Sequence, residues 1–432
     1  MGHSDLNKFT ARIKGVLSEA RVNTLGREVR FCHRERLITP YRLALALLGS
    51  CATMRVASLA DIQRCFNALF GTRVAYKPFH NQLAKWRFGD FMRELVSLIL
   101  EQWTVRVLRA EAGGAFSEYE RIVIQDGSSF ALKEALQEDY PGRFKTKGPA
   151  AVELHVTMSL LEESVSSVVL TPDTFAERAE LPAPGSLKGT LLLADRGYFD
   201  VEYLAALEAA GAGFVVRGYV SVNPRVVAAY DAHGVGVRGM AGKRLKECRL
   251  SKSRVLDLDV EWKVDASLLR ARLTASWNRG KREYRYLVTN LPRTRYTAQQ
   301  VDQAYRLRWQ IELLFKQWKS YANLHAFDTA NPSIAEGLIW AAIAAAALKR
   351  YLAHITQVVK GSAISTHKVA MCAHQVLGAI FAALISGRRG ALAAALTRAL
   401  DYLDVNARRA HPKRERKSGR LQLGLHPVTV VA

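Results

Sequence analysis

The apolar residues of this chain change rhythm along its length, and each rhythm predicts a different kind of element. Up to about residue 118 they fall at helical spacing. Pro40-Tyr41 opens a helix through Leu43, Leu45, Leu47 and Leu48, and Ser58 caps another that reaches Phe70 and stops at Gly71. A third follows Pro78, turning Phe79, Leu83 and Trp86 inward and His80, Asn81, Gln82, Lys85 and Arg87 outward. From 119 to 219 short, continuously apolar runs take over. Ile122-Val123-Ile124 and Thr190-Leu191-Leu192-Leu193-Ala194 read as strands buried on both faces. Between them, His155 to Leu160 and Ser164 to Leu170 read as a hairpin with a tight polar turn at Glu162-Glu163, and Gly213 to Val216 as a further strand. Residues 220–296 alternate or are rich in β-formers, as in VLDLDVEW, LLRARLTASW and REYRYLVTNL. Helical spacing returns over 297–360, and 361–432 is Ala-rich and helical to about Leu403, broken at Arg388-Arg389-Gly390, then a basic tail (Arg408, Arg409, Lys413, Arg414, Arg416, Lys417, Arg420). The order predicts an α/β protein whose core carries a β-rich insertion and is flanked by N-terminal and C-terminal helical regions.

One helix carries more chemistry than its neighbours. The run YRLRWQIELLFKQWK has no Pro or Gly, and successive residues of a helix turn by about 100°. On that wheel Tyr305, Arg308, Glu312, Lys316 and Lys319 share a stripe about 80° wide, opposite Leu307, Ile311, Leu314 and Trp318. A single carboxylate among cations and a phenol suits a metal ligand beside a phosphate clamp better than a solvated face. Two further carboxylates follow buried strands: Asp126, in Asp126-Gly127, and Asp195, in the string DRGYFD, with Asp200 as a rival to Asp195. Apolar strands that release a carboxylate deliver it at the carboxyl edge of a sheet, where sites are usually built.

Charge narrows the partner. Lys and Arg number 62 against 39 acids in 432 residues, a formal +23, which suits a polyanion. No membrane partner is expected, because the most apolar stretch, Leu338 to Leu348, reads as an eleven-residue buried helix. The start MGHSDLNKFT has no signal-like pattern, and five cysteines without C-x-x-C spacing point to reduced thiols and a cytoplasmic protein.

The spacing Tyr-x2-Arg-x3-Glu-x6-Lys, with Asp-Gly and Asp-x-Gly-Tyr upstream, resembles the three-carboxylate (DDE) insertion-sequence transposases of insertion sequence family four. The resemblance implies a ribonuclease-H-like core in which Asp126, Asp195 and Glu312 are the catalytic, metal-binding set. It implies two Mg²⁺ or Mn²⁺ ions, which activate a nucleophile and stabilise the leaving oxygen of a DNA phosphodiester. It implies cut-and-paste transposition on double-stranded DNA, both terminal inverted repeats and target, by a homodimer when DNA is bound. Tyr305, Arg308 and Lys319 would grip the phosphates of a transposon end, with Lys316 on the same stripe. Trp309 matches a tryptophan placed near a displaced base, as stacking platform or boundary packing; Trp262 and Trp277 are the candidates for a second. In the insertion, Arg272 to Arg295 holds seven cations, including Arg279, Lys281 and Arg282, against one acid, Glu283, and reads as a phosphate-tracking stripe or a charged strand edge. The two helices before residue 90 read as a helix-turn-helix-like DNA reader or a packed cap. A metal nuclease of the same fold that cuts without joining, and a non-catalytic DNA-binding relative, are the competing functions.

Overall fold

The computed structural model describes residues 3–428 apart from 35, 220, 222, 265–266, 323, 325–327 and 411–418. Six helices open the chain: α1 (His3–Val16), α2 (Glu19–Glu28), α3 (Pro40–Thr53), α4 (Leu59–Phe70), α5 (Tyr76–Leu83) and α6 (Phe88–Gln102). Ser58 and Asp61 form a capping box on α4, and Gly71 closes it at φ +60°, as the sequence predicts. Helix α5 begins two residues ahead of Pro78, which its first turn accommodates. Trp86 is not inward as expected: it lies past the end of α5, 71% exposed, with the Arg87 guanidinium 3.7 Å from its ring centroid.

The strands are β1 (Leu108–Ala110), β2 (Arg121–Ala131), β3 (Ala151–Ser159), β4 (Ser164–Pro172) and β5 (Thr190–Ala194). After helix α7 (Val201–Ala209) come β6 (Gly213–Gly218), β7 (Arg225–Asp231), β8 (Leu256–Val264), β9 (Ser267–Asn278) and β10 (Glu283–Thr289). Nine of them make one sheet in the order β4-β3-β2-β5-β6-β10-β9-β8-β7. Strands β5 and β6 run parallel to β2, while β3, β4 and β10 are antiparallel to their neighbours. The β-rich stretch after β6 therefore extends the central sheet through β10.

The continuously apolar runs are explained by two cores. Ile122, Ile124, Leu191, Leu193 and Val215 face a helical layer, whereas Val123, Leu192, Ala194, Phe214 and Val216 face the side of α7 and β7–β9. The helical layer joins α1–α6 to the later helices α8 (Ala298–Arg306), α9 (Trp309–Tyr321), α10 (Pro332–Lys360), α11 (Thr366–Cys372), α12 (His374–Ser386) and α13 (Ala391–Asn406) in one apolar core. Helix α10 is 29 residues, much longer than the eleven-residue stretch seen in the sequence. It is long and apolar enough to cross a membrane, yet 83% of its apolar window is buried among α3, α6, α11 and α13. A short helix α14 (Gly419–Gln422) leads to β11 (Leu425–Pro427), which pairs with β1.

The hairpin turn is more deeply buried than its sequence suggests. Glu163, at φ +46°, is buried, and Arg350, Arg409 and Arg420 converge on it, holding its carboxyl at about 2 against the burial that would raise it. Of the basic tail, Lys413, Arg414, Arg416 and Lys417 lie outside the described residues.

Candidate active site

Sheet register brings the two aspartates together. The last parallel pair between β2 and β5 is Gln125 with Ala194, so Asp126 and Asp195 are the next residues along neighbouring strands. Side chains alternate across a sheet, so both follow Ile124 and Leu193 by two positions and share their face, toward the helical layer. Asp126 is not at a strand end: β2 continues to Ala131 because β3 pairs with it through that length. Asp200 caps α7, its Oδ1 accepting from Tyr203 N at 3.0 Å.

Helices α8 and α9 supply the rest. The predicted single helix is two, separated at Leu307-Arg308 by a tight turn of i to i+3 bonds, among them Arg308 N to Tyr305 O at 3.0 Å and Ile311 N to Arg308 O at 3.1 Å. This turn alters the stripe. Tyr305 is buried, and its hydroxyl donates to Asp195 Oδ1 at 2.6 Å. The two terminal nitrogens of Arg308 divide between Asp126 Oδ2 and Glu312 Oε1. Three carboxylates from three elements are thus gathered around one guanidinium and one phenol. Leu307, Ile311, Leu314 and Trp318 are buried as expected.

The remaining residues of the stripe diverge. Lys319 is half-buried and its Nζ donates to Ser129 O of β2 at 2.8 Å, three residues past Asp126. Lys316 is exposed, and Trp309, next in the chain to Arg308, is 57% exposed.

Electrostatics separate the acids. Burial, reinforced by Asp195 and Glu312, pushes Asp126 up to about 7 although Arg308 opposes it. Burial also raises Asp195, but the Tyr305 hydroxyl and Arg308 outweigh it and hold that carboxyl below its ordinary range. For Arg308, burial is outweighed by Asp126, Tyr305 and Asp195, so its charge is more firmly held than usual.

The donor set fits hard divalent cations, being three carboxylates with a single guanidinium shared between Asp126 and Glu312. Among the described residues no three His, Cys, Asp or Glu side chains already close on one point, because Asp126 and Glu312 both reach for Arg308.

A polar tier on the opposite face of the sheet explains the glycines beside both aspartates. A Cβ on Gly127 would lie 2.5 Å from Glu153 Oε1 and 3.0 Å from Tyr198 Oη, and one on Gly197 would collide with Glu177. Arg143 Nη2 pairs with Glu153 at 2.7 Å, and His155 links Tyr198 (3.2 Å) to Thr171 (2.9 Å). Burial raises Glu153 to about 7 and lowers His155 to about 4, so the imidazole is neutral near pH 7. The sequence signal for this tier is Glu153, His155 and Thr157, polar residues at a period of two inside an apolar strand.

The basic stripe of the β-rich region divides. Arg272 is buried and donates both Nε and Nη2 to Asp257 at 2.7 Å, and Arg293 binds Asp257 and Asp259. Arg285 pairs with Asp302 and Arg295 with Glu118. The expectation of a stripe opposed by one acid is corrected for these four, because their partners come from β8, α8 and the segment before β2. Arg279, Lys281 and Arg282, in the β9–β10 turn, are exposed. Trp262 is buried 6.4 Å from Phe199, and Trp277 is half-buried edge-on to Tyr284 with Lys252 Nζ 4.6 Å from its ring centroid.

Comparison with known proteins bears on this arrangement. A transposase of insertion sequence element IS1151 from Clostridium perfringens is 21% identical over 356 residues, 73% of this chain and 74% of the relative. That of IS231F from Bacillus thuringiensis subsp. israelensis is 22% identical over 364 residues, 73% of each chain. That of IS421 from Escherichia coli is 48% identical, but over 62 residues, 14% of this chain and 17% of the relative. The cryo-EM structure of a piggyBac transposase synaptic complex with hairpin DNA matches with a TM-score of 0.44 and 11% identity, covering 94% of this chain and 89% of that one. The model of the transposase DDE domain matches residues 119–348, from just before β2 to within α10 and more than half of the whole, and the chain therefore belongs to this family of insertion-sequence transposases.

Proposed function

We propose that this protein is a cut-and-paste transposase that cleaves DNA at the ends of its element and joins them to a target, with Asp126, Asp195 and Glu312 as its catalytic carboxylates. The observation that carries the reading is their convergence from β2, β5 and α9 around Arg308 and Tyr305. The strand order β4-β3-β2-β5-β6, with β5 and β6 parallel to β2, supports a ribonuclease-H-like core. Asp126, Asp195 and Glu312 would hold two divalent cations, Mg²⁺ or Mn²⁺, which supply nucleophile activation and stabilisation of the leaving oxygen.

The chain's own residues do the positioning. Tyr305 fixes the orientation of Asp195 and keeps it ionised. Arg308 balances charge among the acids, and its fork is the donor pair that suits a phosphate, so a DNA end competes with Asp126 and Glu312 for it. Trp309, exposed beside the site, offers a face to an unstacked base, and Lys316 with Arg279, Lys281 and Arg282 offers charge to the backbone. Bringing two ends together calls for a homodimer on DNA.

The test is cleavage of a labelled element end by the full chain, followed by joining to a supercoiled target. Asp126→Asn, Asp195→Asn and Glu312→Gln should each abolish cutting while retaining DNA binding. Normal Mg²⁺-dependent cleavage by the Asp195→Asn protein sinks the assignment, and cutting without joined product favours a nuclease.

A further inference from the structure

Four of the seven cations from Arg272 to Arg295 are matched to acids. Those beside the far end of α9 are not. A cleft of about 710 Å³ opens between the end of α3, the end of α9, α10 and the α11–α12 junction. Its described lining includes Arg55, Lys319, Lys349 and His374 and no Asp or Glu. Lys349 is buried, and its Nζ donates to Tyr321 O at 2.8 Å, as Lys319 does to Ser129 O at 2.8 Å. These partners are neutral carbonyls, which satisfy a donor without cancelling its charge. Arg55 is exposed and pairs with no acid among the described residues. Burial lowers Lys349 to about 8, with Cys51 facing it, so near pH 7 it is still mainly an ammonium held in a poorly solvated place. Such a charge gains more from an anion than a fully hydrated one does.

The cleft shares α9 with Glu312 and is tied through Lys319 to β2, which carries Asp126. Lys319 is seven residues along α9 from Glu312, about 10 Å at 1.5 Å per residue. Ser129, which it holds, is three residues along β2 from Asp126, again about 10 Å. That distance is about three nucleotide steps of 3.4 Å along one strand.

We propose that this cleft binds backbone phosphates of a DNA strand as it leaves the carboxylate cluster, with Arg55 and Lys349 making contacts additional to that of Lys319. The proposal rests on the transposase reading for the identity of the polyanion. Exposed Met54 and Met371, also in the lining, would lie against sugars rather than charge.

The experiment is an anisotropy titration of a labelled element-end duplex with the full chain across 50–200 mM salt, run beside the cleavage assay. Arg55→Gln, at an exposed position, should flatten the logarithmic salt dependence by about 0.9, and Arg55→Gln with Lys349→Met by about 1.8. Lys349→Arg should keep the wild-type slope, which a merely structural role for the ammonium would not require. Unchanged slopes in Arg55→Gln and in the double variant, with a wild type that cuts and joins, overturn the cleft and leave the transposase reading intact. Flattened slopes in a protein that neither cuts nor joins overturn that reading and leave the cleft as a DNA contact.

Discussion

Two knots of arginine and carboxylate, one in the β-rich strands and one at the candidate site, are built from the same groups in different proportion. In the first, Arg272 and Arg293 both bind Asp257, Arg293 also binds Asp259, and two backbone carbonyls accept from Nη1 of Arg272. Burial would raise Asp257, but the two guanidinia hold it below its ordinary range. In the second, one guanidinium, Arg308, serves Asp126 and Glu312 with Asp195 close by, and Asp126 rises to about 7. Where two cations match two acids, Asp257 and Asp259, the knot is a staple. Where three acids share one cation, carboxylate oxygens are left to take up a proton or a metal ion in its place.

The contrast is broken most forcefully by deleting each arginine. Arg272→Ala takes one of two guanidinia from a buried carboxylate and its donor from the Leu291 and Tyr296 carbonyls, and should cost about 3–5 kcal/mol in denaturant unfolding. Arg308→Ala should cost less, about 1–3 kcal/mol, because Asp126 can take up a proton in place of its partner, while cleavage is lost. A larger stability loss for Arg308→Ala than for Arg272→Ala would erase the distinction.

Acidity sharpens it further, since the two aspartates have opposite signs. Asp126 is raised from 3.8 to about 7, so the folded state binds that proton more tightly than the unfolded chain does. Its contribution to stability therefore falls as pH rises from about 4 to about 7. Asp257 is lowered, so its contribution is present above about 3.8 and fades as pH falls through its folded value. Urea melts of wild type and Asp126→Asn between pH 4.5 and 7.5 should diverge, the variant lacking the share of the decline that Asp126 adds to that of Glu153. Parallel curves would mean that Asp126 is ionised throughout.

The smallest expected effect concerns the phenol. Tyr305→Phe keeps the buried ring but removes the hydrogen bond that helps hold Asp195 ionised, and should cost about 0.5–1.5 kcal/mol with a partial loss of cleavage. An unchanged unfolding midpoint would show that Asp195 finds another donor.

Much of this was legible in the chain because it is local. Uniformly apolar runs announced β2 and β5, and the helical wheel identified Ile311, Leu314 and Trp318 as core. What escaped depends on distant partners. The tight turn at Leu307-Arg308 has no Pro or Gly to betray it, and it coincides with Arg308 reaching β2 while Tyr305 turns to Asp195. The arginines from Arg272 to Arg295 look unopposed only while Asp257, Asp302 and Glu118 are out of view. Arg55, Lys349 and His374 stand on different elements without a shared local pattern, so no window of sequence contains the cleft.

The polar tier behind the aspartates bears on how much the gene tolerates insertions and deletions. A strand that is apolar on both faces has no alternation to punish a slip, and moving it by one residue would turn Asp126 to the wrong face with little hydrophobic penalty. Gly127 fits beneath Glu153 and Tyr198, and Gln125 accepts from Thr157 at 2.6 Å, in only one alignment. Those contacts act as a key for the reading of the ladder. A single codon lost between Arg121 and Asp126 would thus leave a chain of nearly the same composition and hydrophobicity, with its first carboxylate misdirected.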